Sequence, residues 1–264
     1  SELIETPGDT QIGGIAPSTE NPYPLISASS YEDENIKITL WDKRTYDTDI
    51  HIADIVLSSV EFLKTAFASD SYGRNIKETT SSVAERKNAI FAINGDYYGF
   101  RDEGHVLRNG VSYRTTGRED ALVLNYDGSF LVANEAGIRK DIISNAWQIW
   151  SFGPTLVLDG KAAPDKGDEV SGRSSASNPR TAFGEISPLH YVAIVSDGRD
   201  GKNKGLSLQE LALELEALGC ATAYNLDGGG SSTMYFMGSV INNPTDGRRE
   251  GERRISDIIY VGYE

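Results

Sequence analysis

Cysteine is almost missing from this 264-residue chain, in which Cys220 stands alone. One thiol excludes an internal disulfide, a cysteine zinc cage and a haem-attachment motif. Cys220 follows a helical stretch among apolar residues, the setting of an inert core thiol rather than a nucleophile. Histidine is nearly as scarce, and His51, His105 and His190 lack the spacing of a histidine metal site. Positive charge is short too: 25 lysines and arginines face 39 aspartates and glutamates, for a formal net charge of −14. A field of that sign repels nucleic acid and anionic membrane, so neither is expected as a partner, while a local basic pocket remains compatible with it. No apolar run approaches the roughly 18 residues that a membrane-spanning helix needs. What the chain does have is a 39% hydrophobic content, enough to bury a core.

Along the chain, Pro7, Gly8, Gly13, Gly14, Pro17, Pro22 and Pro24 mark residues 1–35 as an extended arm or linker. The folded domain is expected over 36–264. Ile36 to Trp41 alternates like a half-buried strand, and His51 to Leu57 is placed to pair back with it. Val60, Leu63 and Phe67 have helical spacing, and further helices are expected over about 81–87 and 141–149. Ala89 to Ile93 is a continuous apolar run that suits a strand buried on both faces. Asp127-Gly128 signals a hairpin, because type I′ turns require positive φ. Residues 159–178 form a long polar loop. Ser207 and Glu210 make a capping box for a helix whose stripe is Leu208, Leu211, Ala212, Leu215 and Leu218, and Gly219 stops it. Strands and helices mix without strict alternation. The expected fold class is therefore α+β, a single domain with a mixed β-sheet core flanked by helices.

Four stretches carry chemistry. Asn94-Gly95-Asp96-Tyr97-Tyr98 leaves the buried strand with an amide, a carboxylate and two phenols, at the mouth of the core. Asn178-Pro179-Arg180-Thr181 sets an arginine at a strand entry, and Asp197-Gly198-Arg199 leaves a second apolar strand. A guanidinium suits phosphate oxygens bidentately, which makes Arg180 and Arg199 candidate phosphate ligands in an acidic chain. Read singly, each of these also fits an ordinary turn or a surface ion pair. Asp227-Gly228-Gly229-Gly230-Ser231-Ser232 is the least turn-like. Three glycines let main-chain N–H groups approach an anion, and two hydroxyls add donors. The run lacks the lysine of a nucleotide P-loop.

Taken together, these residues resemble the phosphodiester glycosidase family. The likeness rests on Ala92 to Tyr98, Ser151-Phe152-Gly153-Pro154, Asn178 to Ala182, Asp197-Gly198-Arg199, Gly205 to Ala212, Asn225 to Met234, and Asn243 to Gly247. The resemblance implies hydrolysis of the bond between an anomeric carbon and a phosphate, with an α-N-acetylglucosamine 1-phosphodiester as the expected substrate and a phosphomonoester left behind. It also implies a sugar-phosphate or glycan partner, no required cofactor, and an extracellular or cell-envelope location. On this reading Asp96, Arg180, Asp197 and Asp227 are the catalytic set. Asn94, Gly95, Tyr97, Arg199, Gly228, Gly229, Gly230, Ser231 and Ser232 bind substrate.

The chemistry agrees with that assignment. Phosphate is a better leaving group than a sugar alkoxide, so donors and cations that hold it matter more than a strong general acid. Two other readings stay open in the residues. Asp96, Asp197 and Asp227 could gather around Ca²⁺ or Mg²⁺ in a phosphodiesterase that breaks the P–O bond. A non-catalytic envelope glycan-binding module on the same fold is the other.

Overall fold

The computed structural model describes residues 22–117, 120–134, 138–163 and 175–264. Most of the expected arm, residues 1–21, and most of the polar loop, residues 164–174, lie outside the described residues. The folded part begins before Ile36, because Ser30–Glu32 pairs with Ile36–Thr45.

Three antiparallel sheets dominate. The largest has nine strands and runs from Leu25–Ile26 and Ser30–Glu32 through Ile36–Thr45, Thr48–Leu57, His190–Ser196 and Arg180–Ser187 to Thr222–Asn225, Thr155–Leu158 and Lys161–Ala162. The second has five, in the order Phe130–Asn134, Asp120–Asn125, Ala146–Trp150, Val106–Arg108 and Val111–Arg114. The third also has five, Ser239–Val240, Met234–Phe236, Phe91–Asn94, Asp257–Val261 and Leu63–Phe67. A separate two-stranded hairpin joins Thr245–Asp246 to Arg249–Glu250.

Side-chain alternation sorts the core into layers. Ile38, Ile55, Phe91, Ile93, Leu122, Trp150, Phe183 and Tyr224 meet in one buried cluster between the sheets. The opposite face of the large sheet presents Ile50, Ile52, Ala182 and Ile194 to helix α3, Leu208–Ala217. Leu211, Ala212 and Leu215 of that helix are fully buried there. The capping box is present: Ser207 Oγ accepts from the Glu210 N–H at 3.1 Å, and Glu210 Oε2 accepts from the Ser207 N–H at 2.8 Å. Helix α1, Thr80–Arg86, covers the outer face of the third sheet through Val83 and Ala84, against Ala92 and Ile258. Among the described residues the only other α-helix is α2, Lys140–Asn145.

The sheet core of the expected α+β class is present, but its sheets are antiparallel rather than mixed. The fold is mostly antiparallel sheet, with few helices rather than a flanking layer of them. One helix expectation fails and another is cut short, for one reason. Leu63–Phe67 and Ala146–Trp150 are strands, the first after a single 3₁₀ turn at Val60–Phe62 and the second directly after α2. Over so few residues an apolar spacing fits both periods, and pairing with Asp257–Val261 and Asp120–Asn125 decides for strand. No described helix is long and apolar enough to cross a membrane. Cys220 is buried beside α3, where burial pushes its thiol up to about 12, so the inert reading fits its setting.

Candidate active site

The strand Phe91–Asn94 ends against the strand Asp257–Val261 and the loop after Thr222–Asn225, and Asn94 joins them. It is wholly buried. Its Nδ2 donates to the Asp227 carbonyl at 2.7 Å, while its Oδ1 accepts from the Thr181 hydroxyl at 2.8 Å and from the Thr233 N–H at 3.2 Å. Thr181 Oγ1 also lies 3.1 Å from Ser232 Oγ. Asn94 and Ser232 therefore form a knot beneath the surface that fixes where Asp227 stands, and neither reaches outward as a sugar contact.

Asp96 turns inward as well. Its Oδ1 accepts from Arg108 Nη2 at 2.8 Å and from the Tyr98 N–H at 3.2 Å, and its Oδ2 from the Ser151 N–H at 2.9 Å. Arg108 donates through Nε to Asp257 Oδ2 at 2.7 Å, so one buried guanidinium serves two carboxylates. Burial alone would depress Arg108, yet Asp96 and Asp257 together hold it above its ordinary value. Desolvation pushes Asp257 up to about 7 against the pull of Arg108. Its Oδ1 has no partner of full hydrogen-bonding geometry among the described residues. That oxygen sits where a side chain at Gly95 would begin: a Cβ there would lie 2.2 Å from it, which accounts for the glycine.

Asp197 is likewise occupied. Its Oδ2 is 2.9 Å from His51 Nε2, and its Oδ1 accepts from the Asn243 N–H at 2.8 Å and from Asn242 Nδ2 at 3.3 Å. Burial would lower His51, but Asp197 and Asp42, on its two ring nitrogens, raise it. Asn242 carries the link onward by donating to the Ser232 carbonyl at 2.9 Å. Asp197 thus positions the 231–234 segment.

The glycine run differs from the open row of donors the sequence suggests. The N–H groups of Gly229, Ser231 and Ser232 already donate to Pro179, Gly228 and Gly229 carbonyls, within a 3₁₀ turn at Gly229–Ser231. The glycines serve close packing instead: a Cβ on Gly228 would lie 2.8 Å from the Pro179 carbonyl oxygen, and one on Gly230 would lie 2.7 Å from Asp246 Oδ1. Arg199 is exposed beside Gly229 and donates to Asn178 Oδ1. Arg180 faces α3 rather than Asp227. In its strand Thr181 and Phe183 point to the inter-sheet core, so Arg180 and Ala182 point the other way. Its Nε and Nη2 donate to the carbonyls of Leu206 and Ala176 at 2.9 and 2.8 Å. Burial, then neighbouring Arg199, hold it down at about 10.

The hollow that does hold Asp227 has a volume of about 290 Å³. Tyr97 and Phe100 line one side as a stacked pair with centroids 4.7 Å apart. The same hollow is lined by Asp227 and Ser231, by the basic side chains Lys77, Arg253 and Arg254, and by Gly95, Ser256 and Asp257. Burial raises Asp227, opposed by the nearby Ser231 hydroxyl and the charge of Arg253. Arg253 is held in place by Asp246, whose Oδ1 accepts from Nε at 3.0 Å and from Nη2 at 2.9 Å. The hydroxyls of Ser231 and Ser256 are buried and lack partners of hydrogen-bonding geometry among the described residues.

Of the residues singled out in the sequence, the cleft gathers Gly95, Tyr97, Asp227 and Ser231. Arg180, the expected partner of Asp227, does not line it. Arg253, Arg254 and Lys77 went unnoticed, although four arginines within residues 248–254 of so acidic a chain were a signal. Among the described residues no group of three or more histidine, cysteine or acidic side chains is placed to hold a metal ion.

The sequence profile of the phosphodiester glycosidases matches residues 87–262, which include every wall of this cleft except Lys77. The chain is 32% identical, over 93% of its length, to the SPbeta prophage-derived uncharacterized protein YomE of Bacillus subtilis strain 168. Over 70% of its length it is 23% identical to the N-acetylglucosamine-1-phosphodiester alpha-N-acetylglucosaminidase of Bos taurus. It spans 39% of the length of each of these relatives. The zebrafish N-acetylglucosamine-1-phosphodiester alpha-N-acetylglucosaminidase catalytic domain, auto-inhibited by its pro-peptide, shares the fold with a TM-score of 0.70 at 20% identity, covering 90% of this chain and 87% of that one. A hypothetical protein from Synechocystis aligns with a TM-score of 0.63 at 15% identity, over 86% of this chain and 62% of that one. With two thirds of its residues under one family's profile, the chain belongs to the phosphodiester glycosidase family.

Proposed function

We propose that the Asp227 cleft hydrolyses the anomeric C–O bond of a sugar 1-phosphodiester, with α-N-acetylglucosamine 1-phosphodiesters as the expected substrates. The observation that carries this reading is a half-buried carboxylate, Asp227, that shares one hollow with a stacked aromatic pair and an anchored guanidinium. Sugar rings stack on aromatic faces, so the Tyr97–Phe100 side takes the sugar. Arg253 takes the phosphate, because Asp246 fixes its Nε and Nη2 and leaves Nη1 without a partner among the described residues. The Ser231 hydroxyl supplies a further donor.

Asp227 acts as general base. Desolvation raises its proton affinity, which suits it to take a proton from water as the water oxygen attacks the anomeric carbon. The C–O bond breaks, its electron pair leaves on the phosphate oxygen, and Arg253 holds the departing phosphomonoester. Water is consumed, and the sugar leaves as the free hemiacetal with its anomeric configuration inverted. Asp96 and Asp197 act behind this site, by holding the 95–98 and 231–234 segments. An extracellular or cell-envelope location goes with such a substrate.

Turnover of an α-N-acetylglucosamine 1-phosphate methyl ester in ¹⁸O water tests the reading. Label is expected in the sugar hydroxyl, the β-anomer is expected first by NMR, and Asp227→Asn is expected to lose about 10²- to 10⁴-fold in kcat. Label in the phosphate would instead indicate P–O cleavage. Retention would make Asp227 a nucleophile, and binding without turnover would leave a glycan-binding module.

A further inference from the structure

Resting on that reading, we infer that a second anion subsite adjoins the cleft: Arg249, with Arg248, on the hairpin Thr245–Asp246 and Arg249–Glu250 receives a further phosphate carried by the aglycone. Asp246 and Arg249 are paired across the hairpin, and directly opposed antiparallel residues present their side chains on the same face. Asp246 lines the cleft, so Arg249 stands on the cleft-facing side of the ribbon. Arg248 follows Gly247, whose φ of 67° makes the turn at the tip.

The acids of this segment are all engaged or turned away. Asp246 is bound to Arg253, Glu250 is paired with Thr245 on the alternate face, and Glu252 accepts from the Ser81 N–H at 2.9 Å. Neither Arg248 nor Arg249 has an ion pair or side-chain hydrogen bond among the described residues, and both are exposed. In a chain of net charge −14, unneutralised neighbouring arginines are an exception to the prevailing field. The hairpin that carries them is firmly seated. Thr245 Oγ1 donates to the Gly198 carbonyl at 3.0 Å, and the Arg253 N–H donates to the Gly230 carbonyl at 3.1 Å.

The place of the hairpin selects the ligand. With the sugar on Tyr97 and Phe100 and the scissile phosphate at Arg253, the hairpin borders that phosphate, because its Asp246 holds Arg253 and pairs with Arg249. A planar guanidinium fork at that place fits a phosphate on the aglycone, as in a glycan or polyol with a phosphate in each repeat. The overall negative charge repels distant anions, so the subsite works at contact range, within a Debye length of roughly 8 Å at physiological salt.

The test compares α-N-acetylglucosamine 1-phosphoglycerol with the same diester bearing a second phosphate on the glycerol. The added phosphate is expected to lower KM about three- to tenfold at low salt. The Arg248→Ala/Arg249→Ala double variant is expected to erase that difference while leaving kcat/KM for the single-phosphate diester unchanged. Equal KM values in the parent protein, or a preference that survives in the double variant, overturn the subsite. If neither diester is turned over, the function proposed above fails, and calorimetric titration of glycerol phosphate against glycerol 1,3-bisphosphate decides the subsite separately. Tighter bisphosphate binding that is lost in the double variant supports it, and equal binding overturns it.

Discussion

Thr181 Oγ1 donates to Asn94 Oδ1 across 2.8 Å, and this bond ties the nine-stranded sheet to the five-stranded sheet that ends at the cleft. The same Asn94 side chain holds the Asp227 carbonyl and the Thr233 N–H. Asn94→Ala removes three hydrogen bonds and strands the Asp227 carbonyl and the Thr233 N–H, and the expected cost is about 2–4 kcal/mol. Because the Asp227 backbone loses its tether, kcat should fall more than KM rises. Urea unfolding together with steady-state kinetics reads both effects, and a variant as stable and active as the parent would refute this role for Asn94.

Arg108 bridges Asp96 and Asp257 with Nη2 and Nε at once, all three side chains being buried. Arg108→Ala leaves two carboxylates without their cation and is expected to cost about 3–5 kcal/mol. Arg108→Lys should recover little, since an ammonium is a point charge and cannot offer two donors in that fixed fork. Thermal unfolding of the two variants checks this, and a lysine variant with parental stability would argue against the bridging geometry.

Burial pushes Asp257 up to about 7 in the fold, above an ordinary carboxylate near 3.9. The folded chain therefore binds this proton more tightly than the unfolded chain. The stabilising contribution is complete below about pH 4 and is lost as the pH climbs through about 7. The groups facing it are Arg108, Asp96 and Tyr98. Denaturant unfolding at pH 5 and pH 8 should show the parent weakening toward pH 8, with a flatter profile in Asp257→Asn. Parallel profiles would show that Asp257 does not carry the dependence.

The sequence announced where strands and turns lie better than it announced which way side chains point. The apolar run ending in Asn94-Gly95-Asp96, the capping box at Ser207 and the Asp127-Gly128 hairpin are local signals and were legible. Arg180 was misplaced because one residue of strand parity separates the α3 face from the core face. Phe183, a large apolar side chain that had to enter the core, already fixed that parity. The glycine run suggested an anion cradle, whereas Pro179 and Asp246 set its composition by close approach, a long-range matter. Arg253 belongs to no motif quoted from the sequence. It becomes significant only once Asp246 and Gly230 are seen beside it.

The hairpin that bears Asp246 and Arg249 hydrogen-bonds to none of the three large sheets as a strand. Exchanging its tip would alter no core side chain and break no ladder of those sheets. Changes at Arg248 and Arg249 therefore remodel the rim while Asp246, and with it Arg253 beside Asp227, keeps its place.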